Sequence, residues 1–521
     1  MQGLKKKFIV LHPLLFALFP TVFLFAHNID QVLVVEILWP LATSLVFGSV
    51  LFLFWRLVFK DIHKAGFAAS VFLFFFFSYG PVFDAIEQGF RLRSPYRLHA
   101  GLMPIAMCGL ICSEYLVGRI KRNLSNLTRI LNFVSMICLA ISIVQISAYG
   151  LRNAATEDHI ADMENLNSQI TGMDQRRPLP DIYYIIVDRY ASANTLMEFY
   201  DYDNSPFVEC LSDRGFYVAS KSNANYLCTA QSLASSLNMK HITYMSEQVG
   251  EDTHDWKPVY RMLQDYTVWR FLKSKGYEFV HFGPRWFPTS RNKYADKNVN
   301  VRALSEFSML LYETTLLHPI SRFFGFLDFR VENHRRVLYQ FDKLSEIPDM
   351  EGPVFVFVHF LLPHEPYVFD DSGDFVTRKQ ASERSTTRKY LDQIVFTNRK
   401  LQELIDTLLS SSQPPPIIIV QADEGPYPQG LEVGSKPFNW QTASNAQLRE
   451  KMGILNAYYL PDVNKDILYE SITPVNSFRI VFNLYFGTDL GLLPDESYVF
   501  TDTGHIYKFI NVTDKLKPDS Q

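Results

Sequence analysis

Residues 417–426 read "IIIVQADEGP", an apolar run that breaks into two adjacent carboxylates, Asp423 and Glu424, and then into glycine and proline. A short apolar run ending in turn residues reads as a buried strand. Four other stretches share this character: "DIYYIIVD" (181–188), "YEFVHFG" (277–283), "PVFVFVHF" (353–360) and "ILNAYYL" (454–460). Between them, "QIVFTNRKLQELIDTLL" places Ile394, Leu401, Leu404, Ile405 and Leu408 at helical spacing. Near-continuous apolar strands separated by helices predict an α/β fold, a mainly parallel sheet covered by helices on both faces.

This sheet accounts for only part of the chain. With 521 residues, 48% of them hydrophobic, the sequence is too long for one core. Its apolar residues concentrate in the first 150 positions, and roughly 20 of them in succession cross a bilayer's hydrocarbon core. Five spans are predicted, at about 8–26, 36–57, 66–82, 99–118 and 129–149. The third, "GFAASVFLFFFFSYGPVF", is short and carries a late Gly and Pro. Lys5, Lys6 and Lys7, "WRLVFKDIHK" and "GRIKRN" share one side of such a bundle, which is then cytoplasmic. "RLRSPYR", on the opposite side, argues against that orientation. The expected organisation is a transmembrane domain (1–150), a polar linker (151–178) and an extracytoplasmic domain (179–521), in a multi-pass inner membrane of bacterial type.

A net charge of −4 gives no electrostatic case for nucleic acid. Cys108, Cys112 and Cys138 fall in the spans as small packers, while Cys210 and Cys228 stand alone in the later domain, paired or free.

In open α/β sheets, ligands bind beyond the carboxyl ends of the strands. Asp188 closes the first strand, and His281 lies near the end of the second. His359 and His364 finish or follow the third, and Asp423 and Glu424 close the fourth. Each has an ordinary explanation, since a terminal Asp caps a helix or turn and His281 and His359 are flanked like core histidines. Gathered on one rim, they indicate a metal or phosphate site. "NYLCTAQSLASSLNM" (225–239) supplies a nucleophile, because Thr229 precedes a helical segment whose N-terminus favours an anion. Ser232, Ser235 and Ser236 compete from further inside that helix.

The order Asp188, Thr229, "HFLLPHEPYVFD", then Asp423 with Glu424 resembles the alkaline phosphatase superfamily. Within it, the chain is similar to the membrane-anchored, sulfatase-like enzymes related to lipoteichoic acid synthase, which are phosphoglycerol transferases with five spans. The resemblance implies that Asp188 and Asp423 bind metal and that Thr229 is the nucleophile and touches the metal. It also implies that His364 and the segment of His281 and Trp286, "HFGPRWFPTSRN", meet the substrate, with His359 on the same rim. Glu424 stands where that family has His, and the Cys or Ser signature of sulfatases, with its Pro and Arg, is absent.

Glu is a hard oxygen ligand, so a site of Asp188, Thr229, Asp423 and Glu424 suits Mn or Mg, with Ca possible, better than zinc. Alternatively, Glu424 turns away to a cation such as Arg285 or Lys436. Two functions follow: a transferase or hydrolase acting on a phosphodiester or lipid headgroup through Thr229, or a non-catalytic binder of an envelope lipid or glycan.

Overall fold

A computed structural model describes residues 9–90, 95–153, 179–301, 304–324, 328–431 and 438–517. Lys5, Lys6, Lys7, Lys436 and nearly all of the expected linker lie outside the described residues. The chain forms two compact units, one of Met1–Glu157 with Leu304–Asp328 and one of Asp158–Ala303 with Phe329–Gln521. The first unit therefore recruits a short insert from within the expected extracytoplasmic domain.

All five predicted spans are helices in the first unit: α1 (His12–His27), α2 (Val34–Phe59), α3 (Ile62–Phe90), α4 (Pro95–Arg119) and α5 (Ser125–Asn153). The last four are long and apolar enough to cross a membrane, and α1 is a shorter apolar helix of 16 residues. Their exposed side chains include Trp39, Phe74, Ile111 and Val144, and so offer lipid rather than water a partner.

The second unit is built on a seven-stranded sheet. Its strands are β1 (Ile182–Val187), β2 (Tyr217–Val218), β3 (Glu278–Phe282), β4 (Lys297–Val299), β5 (Val354–Phe360), β6 (Ile417–Gln421) and β7 (Asn456–Tyr459). The order is β2-β7-β6-β1-β5-β3-β4. β6, β1, β5, β3 and β4 run parallel, while β7 runs antiparallel to β6. All of β1, β5 and β6 is buried, which explains why those segments are apolar without alternation.

β7 was expected from its apolar run, but its direction changes what reaches the rim. Gln421, the last residue of β6, pairs with Asn456, the first of β7. The chain entering β7 therefore arrives at the carboxyl ends of the parallel strands. It brings the helix Asn445–Met452 with it.

Candidate active site

The central strand order β5-β1-β6 sets the site. β1 ends in Asp188, whose N–H continues the ladder by donating to the Phe360 carbonyl at 3.0 Å. Ile186 pairs with His359 on one side and Gln421 on the other, so Asp188 lies between His359 and Asp423. Ligand atoms of these three residues come within 4.8 Å of one another, and all three residues are buried. Asp188 Oδ1, Asp423 Oδ2 and His359 Nε2 have no hydrogen-bond partner among the described residues. Such orphaned buried atoms are costly unless something else binds them.

His359 Nε2 stands 3.5 Å from Asp188 Oδ2. Its other nitrogen, Nδ1, lies 2.8 Å from the Thr289 hydroxyl, and the Thr289 carbonyl accepts the Nε2–H of His281 at 2.7 Å. His281 is thus one step removed from the rim, stacked on Phe357, with burial pulling its pKa down to about 4. Trp286 stands edge-on to the His359 ring at 6.0 Å.

Thr229 is the first residue of the helix Thr229–Asn238. Its hydroxyl donates to the Asp423 carboxylate. The competing serines are engaged elsewhere, Ser232 with the Tyr226 carbonyl, Ser235 with the Lys240 carbonyl and Ser236 with the Leu233 carbonyl. Cys228, immediately before Thr229, and Cys210 are both free thiols.

Glu424 sits apart from the converging group. Its Oε1 takes the Arg189 Nε–H at 2.9 Å and its Oε2 meets Lys451 Nζ at 3.1 Å. Both cations also lie over the Tyr427 ring, at 4.5 and 4.4 Å. The motif's glycine has a packing reason: a Cβ on Gly425 would lie 2.5 Å from the Lys451 carbonyl oxygen. The Gly425 N–H donates to that carbonyl, and Lys451 Nζ donates to the Gly425 carbonyl, each at 2.9 Å.

Arg189 and Lys451 were not expected at the site from the sequence, nor was the support that Thr289, within "HFGPRWFPTSRN", gives to His359. Arg189 has a backbone φ of +63°, uncommon for a residue with a Cβ, and this turn sends Asp188 and Arg189 in different directions from one strand end. Its backbone N–H reaches toward Asp423 Oδ1 at 3.4 Å.

Electrostatics separate the two aspartates. Burial pushes the Asp188 carboxyl up, but His364, His359 and Arg189 outweigh it and hold the group below the usual range. Asp423 is held well above that range by burial, with Asp188 and Glu424 adding to it, and the Thr229 bond opposes this only in part. His364 faces Asp188 and Arg189, and its pKa is lowered, chiefly by burial. The arrangement pairs a hydroxyl at a helix N-terminus, where free N–H groups favour an anion, with carboxylates that need a cation between them.

The sulfatase family model matches residues 180–478, more than half of the chain. The chain belongs to the sulfatase family. None of the curated proteins searched matches it. Solved structures that it resembles include the periplasmic domain of EcEptC from Escherichia coli, at 12% identity and a TM-score of 0.45, covering 66% of this chain and 95% of that one. The integral membrane lipooligosaccharide phosphoethanolamine transferase EptA from Neisseria meningitidis matches at 10% identity and 0.38, covering 90% and 94%. A protein of the alkaline phosphatase superfamily from Vibrio parahaemolyticus matches at 10% and 0.38, covering 66% and 79%.

Proposed function

We propose that this sulfatase-family protein is a membrane-bound, metal-dependent phosphotransferase or hydrolase with Thr229 as nucleophile. Its substrate is a phosphodiester borne by an envelope lipid headgroup or glycan. The observation that carries this reading is the set of three unpartnered buried atoms, on Asp188, His359 and Asp423, beside a helix-terminal threonine.

These donors fit a divalent ion: two carboxylate oxygens and one imidazole nitrogen, buried and otherwise unsatisfied. The nitrogen moves the expected ion from the Mn, Mg or Ca of an all-oxygen set towards Mn or Zn. When bound, the ion would supply Lewis acidity and offset the carboxylate charge beside an anionic substrate. For His359 to present a bare Nε2, its Nδ1 carries the proton and donates it to the Thr289 hydroxyl, which fixes the ring.

Thr229 Oγ then attacks phosphorus while the Asp423 carboxylate, already accepting its hydrogen bond, takes the proton. An O–P bond to Thr229 forms and the bond to the leaving alcohol breaks, the alcohol drawing a proton from water. In the second half an acceptor hydroxyl or water attacks the same phosphorus and gives its proton to the hydroxide left by the first half, while the bond from phosphorus to Thr229 breaks and Thr229 recovers its proton from Asp423. His364 and Trp286 are assigned to orienting the substrate, and residues beyond α5 are assigned to the extracytoplasmic side.

The test is mass spectrometry of the full chain after incubation with envelope phospholipid. Phosphorylation at residue 229, lost with turnover in Thr229→Ala while metal content holds, is the expected result. Glu424 favours a second reading, a non-catalytic binder, because two cations hold it where the family has a histidine. In that case Thr229→Ala complements a deletion strain in full. A reporter fused after Gln521 that works only in the cytoplasm would overturn the topology.

A further inference from the structure

Residues 304–324 hold two helices, Glu306–Glu313 and Leu317–Phe324, that belong to the helical unit although the chain on either side of them builds the other unit. Their position along the bundle can be fixed. Phe307 packs with Phe25, near the end of α1, and with Ile37, near the start of α2. Leu316 packs with Phe76, Tyr79 and Phe83 of α3. Because α1 and α3 end, and α2 begins, on the same side of a bundle of successive hairpins, the Phe307 cluster lies at that end and the Leu316 cluster runs from the middle of α3 towards it.

The backbone confirms the depth. Gly80 N–H donates to the Thr314 carbonyl at 3.0 Å, and Leu316 N–H donates to the Phe76 carbonyl at 2.9 Å. A Cβ on Gly80 would lie 2.5 Å from the Glu313 oxygen and from Thr314 Cα, so glycine alone admits the insert. The late glycine of the third span is therefore a docking point, and α3 continues through Pro81 to Phe90. Gly80 stands roughly 27 Å along the axis from the start of α3 at 1.5 Å per residue, against a hydrocarbon core of about 30 Å. Asp84, the first charged residue of α3 after Lys64, follows four positions later. The insert thus lies where hydrocarbon gives way to headgroups.

At that level it exposes apolar side chains. Phe323 and Phe324 are 70% and 69% exposed, with Leu317 and Leu310 also open. The other unit, among its described residues, exposes only Met197, Leu338 and Leu492 of its large apolar side chains, scattered along the chain. The insert's exposure instead continues the apolar surface of the spans, where Val34, Val35, Leu38 and Trp39 of α2 are open at the same end. A helix with Pro319 and Ser321 buried, preceded by the buried Leu316, and with Leu317, Phe323 and Phe324 outward is built to lie in an interface.

We propose that residues 304–324 are a membrane-interface element whose Leu317, Phe323 and Phe324 enter the lipid at the end of the bundle where α1 ends and α2 begins. This rests on the apolar helices spanning a bilayer and is independent of the chemistry proposed at Thr229. The sulfatase-family unit is thereby tied to the bilayer a second time, by a segment within its own sequence.

The test places a genetically encoded fluorescent amino acid at 323, 324 or 317 of the full chain, with position 197 as the exposed reference. Each protein is held in nanodiscs of phosphatidylethanolamine and phosphatidylglycerol, with or without bromine on the acyl chains near the carbonyl. Bromine should remove most of the emission at 323 and 324 and little at 197, whereas aqueous iodide should show the reverse order. Emission at 323, 324 and 317 that bromine leaves intact overturns the proposal. This holds whether iodide reaches those positions, as on a water-facing helix, or fails to, as under a protein partner such as a second copy.

Discussion

Glu424→Gln separates the two roles open to this carboxylate. The side chain is 4% exposed, and its cations, Arg189 and Lys451, are 12% and 0% exposed. Removing one partner of a buried ion pair costs about 3–5 kcal/mol, mainly because a charge is left uncompensated. Here two cations lose their carboxylate together, which pushes towards the upper end of that range. Arg189 keeps Glu365 at 3.5 Å, but that carboxylate is 38% exposed and screened by solvent. Both cations also keep the face of Tyr427, and Lys451 keeps the Gly425 carbonyl. A net loss of ~3–4 kcal/mol follows. At ~2 °C per kcal/mol for a domain of a few hundred residues, the unfolding midpoint falls by ~6–8 °C. Tryptophan fluorescence of the full chain in detergent reads this fall, and elemental analysis of the same samples reads the metal. Metal content should hold in Glu424→Gln and drop in Asp423→Asn and His359→Ala. A midpoint within ~1 °C of the parent, or metal lost from Glu424→Gln as fully as from Asp423→Asn, would refute the ion-pair role.

Thr289→Val removes the hydroxyl that orients His359 while keeping its shape. Metal affinity should fall ~10–100-fold with the unfolding midpoint little changed; unchanged affinity would show that the ring needs no such support. The raised pKa of Asp423 gives a pH signature in the metal-free chain. A carboxyl whose folded pKa lies above its unfolded value contributes stability that is complete below the unfolded value and lost as pH rises through the folded one. With chelator present, the midpoint should therefore decline as pH climbs above the ordinary carboxylate range. Asp188, shifted the other way, contributes stability that is complete above the ordinary carboxylate range and is lost only as pH falls at the acid end of the scan, so it adds no slope to this decline. Added Mn or Zn should flatten the decline, and a decline that neither ion affects would place the metal elsewhere.

The five helices and five principal strands were legible because each is an apolar run of the length its element requires. β2 and β4, of two and three residues, were too short to leave a pattern. Strand direction leaves no mark on an apolar run either. "ILNAYYL" reads the same whether β7 is parallel or antiparallel, and that direction decides whether Lys451 comes to the rim or lies at the far end of the sheet. The partners of Glu424 were hidden for the same reason: an acid beside a predicted strand end says nothing about which cation the topology will deliver. Asp188, His359 and Asp423 were easier to group, since each marks the end of a run and ligands gather at strand ends. The insert 304–324 carries no long apolar run, so its membership in the helical unit depends on contacts with distant residues such as Phe25 and Phe76.

Placing Lys451 and Arg189 on Glu424 changes the charge balance that made an anionic substrate look unfavourable. From sequence, Asp188, Asp423 and Glu424 oppose a single divalent ion, and the surplus is negative. In the folded protein Glu424 is held between two cations, so three buried carboxylates stand against the positive charges of the buried Lys451 and the largely buried Arg189, and one negative charge remains. A divalent ion between Asp188, His359 and Asp423 would turn that into one positive charge, matched to the single negative charge of a phosphodiester. Low dielectric makes such a balance count for more than it would in water. Glu424 therefore costs the site little attraction for phosphate as long as Lys451 and Arg189 stay with it. Lys451→Met removes that positive surplus, leaving the loaded site without net charge, and does so without touching Asp188, His359, Asp423 or Thr229. It should weaken substrate binding, read as a raised KM, more than it slows turnover of bound substrate. An unchanged KM would mean that the charge of this buried trio does not reach the phosphate.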